Sequence, residues 1–228
     1  MAVTNFASEH GFPTFAPLFQ RADGIRVSLY LTLLNLCTLS EARIALAATR
    51  RAIAESPDVT GEISALFREY NWRPQLVGAA AIVLGAENSQ TLAQLWLAFD
   101  SGSWVSPQLA VVARRCDPDF EAAARTRIEN GCPIRTNRLA SLDWATRHSA
   151  AGPGSFASHS AKALAALIAM CSQLPGLAEP DSWLQQTLAD TAVQEILKRD
   201  MDGGAEIAKE WDESIAVALL DLHSPETQ

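Results

Sequence analysis

Apolar positions along this chain recur at three- and four-residue intervals, the period of helices that bury one face. The clearest case is near the end. Ile207, Trp211, Ile215, Ala218 and Leu222 advance by four, four, three and four, forming one apolar stripe. Glu206, Glu210 and Glu213 form a second stripe beside it. Like charges four apart repel slightly. Two readings of the acidic stripe stand: a solvated outer face, or a ridge that meets a basic partner.

The same period predicts helices over 24–37, 40–55, 58–69, 73–85, 88–99, 105–115, 118–130, 137–148, 156–173, 181–199 and 204–222. Within Val27–Leu39, Leu29, Leu31 and Leu33 alternate as in a strand, but Leu29, Leu33 and Leu36 also share a helical face; we read a helix. Ser40-Glu41 suits a helix start. Pro57, Pro118 and Pro180 suit first turns, where a missing N–H costs nothing. Gly85, Gly131 and Gly176 fall where helices should stop. Gly152-Pro153-Gly154-Ser155 reads as a linker. It divides a helical block, 1–151, from an acidic helical block, 152–228, within one continuous domain.

One phrase is written twice. Residues 71–81 read N-W-R-P-Q-L-V-G-A-A-A, and residues 103–113 read S-W-V-S-P-Q-L-A-V-V-A. Pro74-Gln75-Leu76 returns 33 positions later as Pro107-Gln108-Leu109. A two-helix unit occupies a period of this size. Leu92, Leu95, Trp96 and Phe99 supply a partner helix between the copies, and Ala79, Ala80, Ala81 and Ala110 permit close approach. Such a helix pair buries its apolar side only by stacking on a neighbour.

With the prolines at helix starts and Asp117-Pro118-Asp119 after the second copy, residues 40–150 resemble HEAT-like α-solenoid repeats. The resemblance rests on two copies, and no third follows Gly154. It implies an all-α fold: a right-handed stack of antiparallel helix pairs, about 10–11 helices in all. It also implies a scaffold for protein binding, and it brings no catalytic residues. Equivalent positions in stacked units fall along one edge, so Asn71, Trp72, Arg73, Gln75, Trp104 and Gln108 are candidate contacts. Trp and Arg are favoured interface anchors. Equally, both Trp side chains can wedge between repeats while Gln75 and Gln108 tie down turn carbonyls.

Composition narrows the function. Of 228 residues, 48% are hydrophobic and 19% charged, which favours a folded chain with a large core. Net charge is −8, and it is unevenly placed. Residues 179–228 carry twelve acidic and three basic side chains; the rest of the chain is close to neutral. That end repels nucleic acid and attracts a basic surface. The apolar runs Leu29–Leu39, Leu76–Gly85 and Ala163–Cys171 are short for a bilayer span. With no leader pattern at the start, the expectation is a cytoplasmic protein without a membrane partner.

Cys37, Cys116, Cys132 and Cys171 form no Cys-x-x-Cys pair and read as buried thiols. His10, His148, His159 and His223 are scattered, so no metal site is expected. Asp200-Met201-Asp202-Gly203-Gly204 hints at a calcium loop, but Trp211 stands where the twelfth-position Glu should be. No catalytic or cofactor signature emerges. Arg114, Arg115, Arg125, Arg127, Arg135, Arg138 and Arg147 are interleaved with acids, as on a salt-bridged surface; phosphate contact is the sharper reading.

Three functions are compatible with this. The first is a non-catalytic scaffold binding another protein, in its specific form a bacterial immunity or antitoxin-type inhibitor whose acidic end covers a basic toxin. The second is a HEAT-like DNA glycosylase, with Asp100, Arg114, Asp143 or Trp144 near a lesion; the net charge opposes it. The third is a small-molecule pocket lined by Trp72, Trp96 or Trp104. Oligomeric state is open.

Overall fold

A computed structural model describes residues 3–21, 24–36, 39–69, 71–134 and 153–222. Every regular element among them is helical, so the all-α expectation holds. The helices are α1 (Val3–Glu9), a 3₁₀ helix (Pro13–Phe19), α2 (Leu29–Asn35), α3 (Leu39–Glu55), α4 (Val59–Arg68), α5 (Trp72–Ala81), α6 (Ser89–Asp100), α7 (Ser106–Cys116) and α8 (Phe120–Glu129). After the undescribed stretch 135–152 come α9 (Pro153–Cys171), α10 (Trp183–Leu188), α11 (Thr191–Leu197) and α12 (Gly204–Leu222). The helix expected over 137–148 lies outside the described residues, as do Cys37, His148, His223 and Gly152; Pro153, Gly154 and Ser155, read as linker, instead open helix α9.

Residues assort into two compact units. One runs to Leu95 and resumes at Glu210; the other is Trp96–Lys209. The first unit is centred on α5, which packs against α2, α3 and α4. Phe12, Phe15, Leu33, Leu46, Leu66 and Leu76 are among its buried large side chains. Trp211 adds its indole from α12, and its Nε1 donates to the Leu33 carbonyl at 2.9 Å. Glu62 is buried without being stranded. It accepts from the Thr14 amide at 2.9 Å, the Thr14 hydroxyl at 2.6 Å and the Ser56 hydroxyl at 2.9 Å. Three donors offset the desolvation of one carboxylate and join the 3₁₀ helix to α4.

In the second unit α9 packs most heavily on α7 and also covers α8 and α11. Its run Ala161–Leu167 is buried throughout. A Cβ on Gly204 would lie 2.2 Å from the Lys162 carbonyl oxygen, so only glycine lets α12 start this close to α9. Arg127 clamps Asp100 through two bonds, Nε to Oδ1 at 2.7 Å and Nη2 to Oδ2 at 3.0 Å. The guanidinium also lies 4.0 Å from the centre of the Trp96 ring. Burial pushes the Cys171 thiol up to about 12 and raises that of Cys132 further still.

Local chemistry explains the departures from the predicted elements. The helix expected over 24–37 occupies only Leu29–Asn35, because Ser28 is extended and the Leu29 amide bonds back to Gln20. The helix expected over 181–199 is broken in two. Asp190 accepts from the Ala192 amide at 2.8 Å and starts a new helix. Helix α5 ends in a π turn, Ile82–Ala86, where Gly85 takes φ 105°. The helical turns before Phe19 were not anticipated. Their phenylalanines pack through rings rather than through a helical stripe.

Candidate protein-binding site

The first copy of the repeated phrase builds an edge in the first unit where half-buried Trp72 and Tyr30 lie beside exposed Asn71 and Arg73. Asn71 caps α5, its side-chain oxygen accepting from the Arg73 amide at 3.1 Å. That cap fixes the direction in which Trp72 and Arg73 leave the helix start. Trp72 meets Tyr30 edge-on at 5.9 Å, and Tyr30 meets Phe19 at 5.8 Å. Phe19, Phe12 and Phe6 continue the cluster inward, with centroids 5.7 to 6.4 Å apart. Aromatic contacts of this kind add stability beyond the area they bury.

Arg73 lies across the outer end of this cluster. Its guanidinium carbon is 4.8 Å from the Trp72 ring centre and 6.0 Å from that of Tyr30. Its Nε donates to the Tyr30 hydroxyl at 3.0 Å, and its Nη1 donates to the Asn71 side chain at 3.2 Å. A guanidinium held at three points has already lost the rotamer freedom that binding would otherwise cost. The residue is nevertheless exposed. Beneath it, Gln75 is buried and donates to the Glu69 carbonyl at 2.7 Å. Glu69 faces His10, whose Nδ1 lies 2.6 Å from its carboxylate.

The second copy lies in the other unit. Trp104 is 42% exposed, and the Lys162 ammonium sits 4.6 Å from its ring centre. Lys162 itself is buried, with the Asp202 carboxylate 3.4 Å away. Gln108 is buried like Gln75. The two copies therefore share a pattern: a Trp at the helix start with a cation on its face, and a buried Gln one turn later. Trp72 and Arg73 act together with Asn71. Gln75 and Gln108 point into their own units and offer nothing to a partner.

Glu206, Glu210 and Glu213 are all exposed along α12, opposite its buried stripe of Trp211, Ile215 and Ala218. Other sequence candidates have structural duties. Asp100 is held by Arg127, and Trp96 is buried with its Nε1 on Asp117 at 2.6 Å. Asp200 accepts from the Asp202 and Gly204 amides, which shapes the connection into α12. Asp143 and Trp144 lie outside the described residues. Among the described residues no cluster of His, Cys, Asp and Glu is placed to hold a metal, and no single helix is long and apolar enough to cross a membrane.

Sequence reasoning missed Tyr30, the phenylalanines behind it and Lys162. Tyr30 is 43 positions from Arg73, and no local period connects them. The isolated aromatic-rich start of the chain was the one available signal.

The class that the fold defines is an all-helical protein with an aromatic, arginine-topped edge. Compared with known proteins, the chain matches no family model, no curated protein and no solved structure.

Proposed function

We propose that this chain is a non-catalytic helical scaffold that binds another protein, with Trp72 and Arg73 as its anchors. The observation that carries the reading is the exposed Arg73 guanidinium, fixed on Trp72, Tyr30 and Asn71 before any partner arrives. Trp, Tyr and Arg are the residue types that dominate binding energy at interfaces, and rigid ones lose least entropy on binding. The partner meets this edge with an acceptor, a carboxylate or a carbonyl, in the guanidinium plane.

In the same reading the helices stack as HEAT-like antiparallel pairs, with the repeated phrase marking equivalent helix starts. The more specific form is an immunity or antitoxin-type inhibitor. There the exposed Glu206, Glu210 and Glu213 face a basic toxin and speed encounter with it. An acidic total of −8 also disfavours a nucleic-acid enzyme.

The test is affinity capture from the source cells with wild-type and Arg73→Glu baits of equal helicity. A protein held by the first and lost from the second supports the reading. Identical captures oppose it. For the inhibitor form, reversing Glu206, Glu210 and Glu213 should slow association and flatten its salt dependence.

A further inference from the structure

The first unit carries a groove of about 560 Å³ along the outer face of α3. Ile44, Ala47 and Ala54 form its floor, with Leu222 from the end of α12. Arg43, Arg50 and Arg51 stand around it. Arg43 pairs with Asp221, and Arg51 pairs with Glu55, while Arg50 is exposed. This is a locally basic, apolar-floored groove on a protein of net charge −8. Ile44 is 45% exposed there. The positions 43, 47, 50 and 54 advance by four, three and four, the spacing of a helix seam.

Helix α12 exposes a seam of the opposite character. Glu206, Glu210, Glu213, Val217 and Leu220 advance by four, three, four and three, and all five are exposed. Val217 and Leu220 are 46% and 72% exposed, among the most exposed large apolar side chains described. The seam is acidic toward the start of the helix and apolar toward its end. The α3 groove is apolar at Ile44 and basic at Arg50 and Arg51.

We propose that the α12 seam of one copy of this chain docks in the α3 groove of a second copy, the two helices running antiparallel. The registers agree. At 1.5 Å per residue, Ile44 lies about 10 Å from Arg50 and Arg51 along its helix. The midpoint of Val217 and Leu220 lies about 10 Å from that of Glu210 and Glu213. Antiparallel docking therefore sets apolar against apolar and acid against base at once. It covers the exposed Val217, Leu220 and Ile44, which a monomer leaves in water. Each copy offers both faces, so the contact is reciprocal, as symmetric pairs require. This association is separate from the partner edge at Trp72 and stands or falls without it, but it occupies the Glu210 and Glu213 that the inhibitor form presents to a toxin, so dimer and toxin compete for that face.

The test is sedimentation equilibrium of the full chain at low and high salt, with two charge-reversed variants. These are Arg50→Glu/Arg51→Glu and Glu210→Lys/Glu213→Lys. All four positions are exposed, and circular dichroism reports whether each variant folds. The wild type should form a dimer that weakens as salt rises. Each variant alone should dissociate more than about tenfold more readily, because like charges then meet across the seam. Mixing the two variants restores opposite charges at one contact and keeps them at the other, so the mixture should dimerise. A wild type that stays monomeric at every concentration overturns the proposal. So does a dimer that ignores both reversals, or a mixture that stays monomeric while both variants are folded.

Discussion

Replacing Arg127 with Ala removes a two-bond ion pair of the second unit. Two charge-assisted bonds to Asp100 go, with the bond from Nη1 to the Ala123 carbonyl at 2.9 Å and the contact on Trp96. What remains is the larger effect. Asp100 is left with a carboxylate only 11% exposed and, among the described residues, no other ion-pair partner. Stranding a fully buried charge costs about 3–5 kcal/mol. Arg127 is 18% exposed, so water relieves part of that, and we expect a loss of about 3 kcal/mol. Asp100→Asn keeps the shape and loses the charge, and should cost about 1–2 kcal/mol. Lys198→Ala breaks an exposed pair with Glu195 and should cost under about 0.5 kcal/mol. Urea unfolding followed by tryptophan fluorescence measures all three, with Trp96 reporting from beneath the guanidinium. A loss below about 1 kcal/mol for Arg127→Ala, at an unchanged urea slope, would refute the clamp. So would strict additivity of Arg127→Ala with Asp100→Ala.

Four further outcomes follow from the packing. Gly204→Ala drives a methyl into the Lys162 carbonyl and should cost about 2–4 kcal/mol in thermal or urea unfolding; a neutral result would mean α12 does not start against α9. Glu62→Ala leaves the Thr14 amide and both hydroxyls without their acceptor and should cost about 2–3 kcal/mol, with the 3₁₀ helix losing hydrogen-exchange protection first. Cys132 and Cys171 should resist thiol reagents until the chain unfolds, as read by mass mapping of the labelled sites. Their raised pKa values also set a pH trend. The unfolded chain loses these protons first, so stability is full below pH 9 and falls as pH rises toward about 12.

Legibility in the sequence followed the range of the forces. The stripe of α12 and the prolines opening α5 and α7 are local, and each could be read from neighbours a turn apart; Asn71 was read as a contact, and its role as the cap of α5 came only with the structure. Helix 181–199 looked continuous because its propensities are good. The Asp190 side chain offers a competing local bond, and a period-based reading gives that no weight. The site was half legible. Trp72, Arg73 and Asn71 are adjacent in sequence, but Tyr30 and Phe19 reach them only through the fold. Gln75 had two readings, a contact on the repeat edge or a tie for a turn carbonyl; its amide takes the second, donating to the Glu69 carbonyl inside the unit. Arg127 and Asp100 stand 27 residues apart in an Arg-rich stretch, and nothing local marks them as partners.

The central claim is that Arg73, fixed on Trp72 and Tyr30, anchors another protein. Its most direct measurement is quantitative co-purification from the source cells with wild-type, Arg73→Glu and Trp72→Ala baits, each shown to be folded. The account predicts one protein enriched by the wild type and reduced more than about tenfold by both variants, as hot-spot residues behave. Equal recovery of every co-purifying protein by the three baits would contradict it.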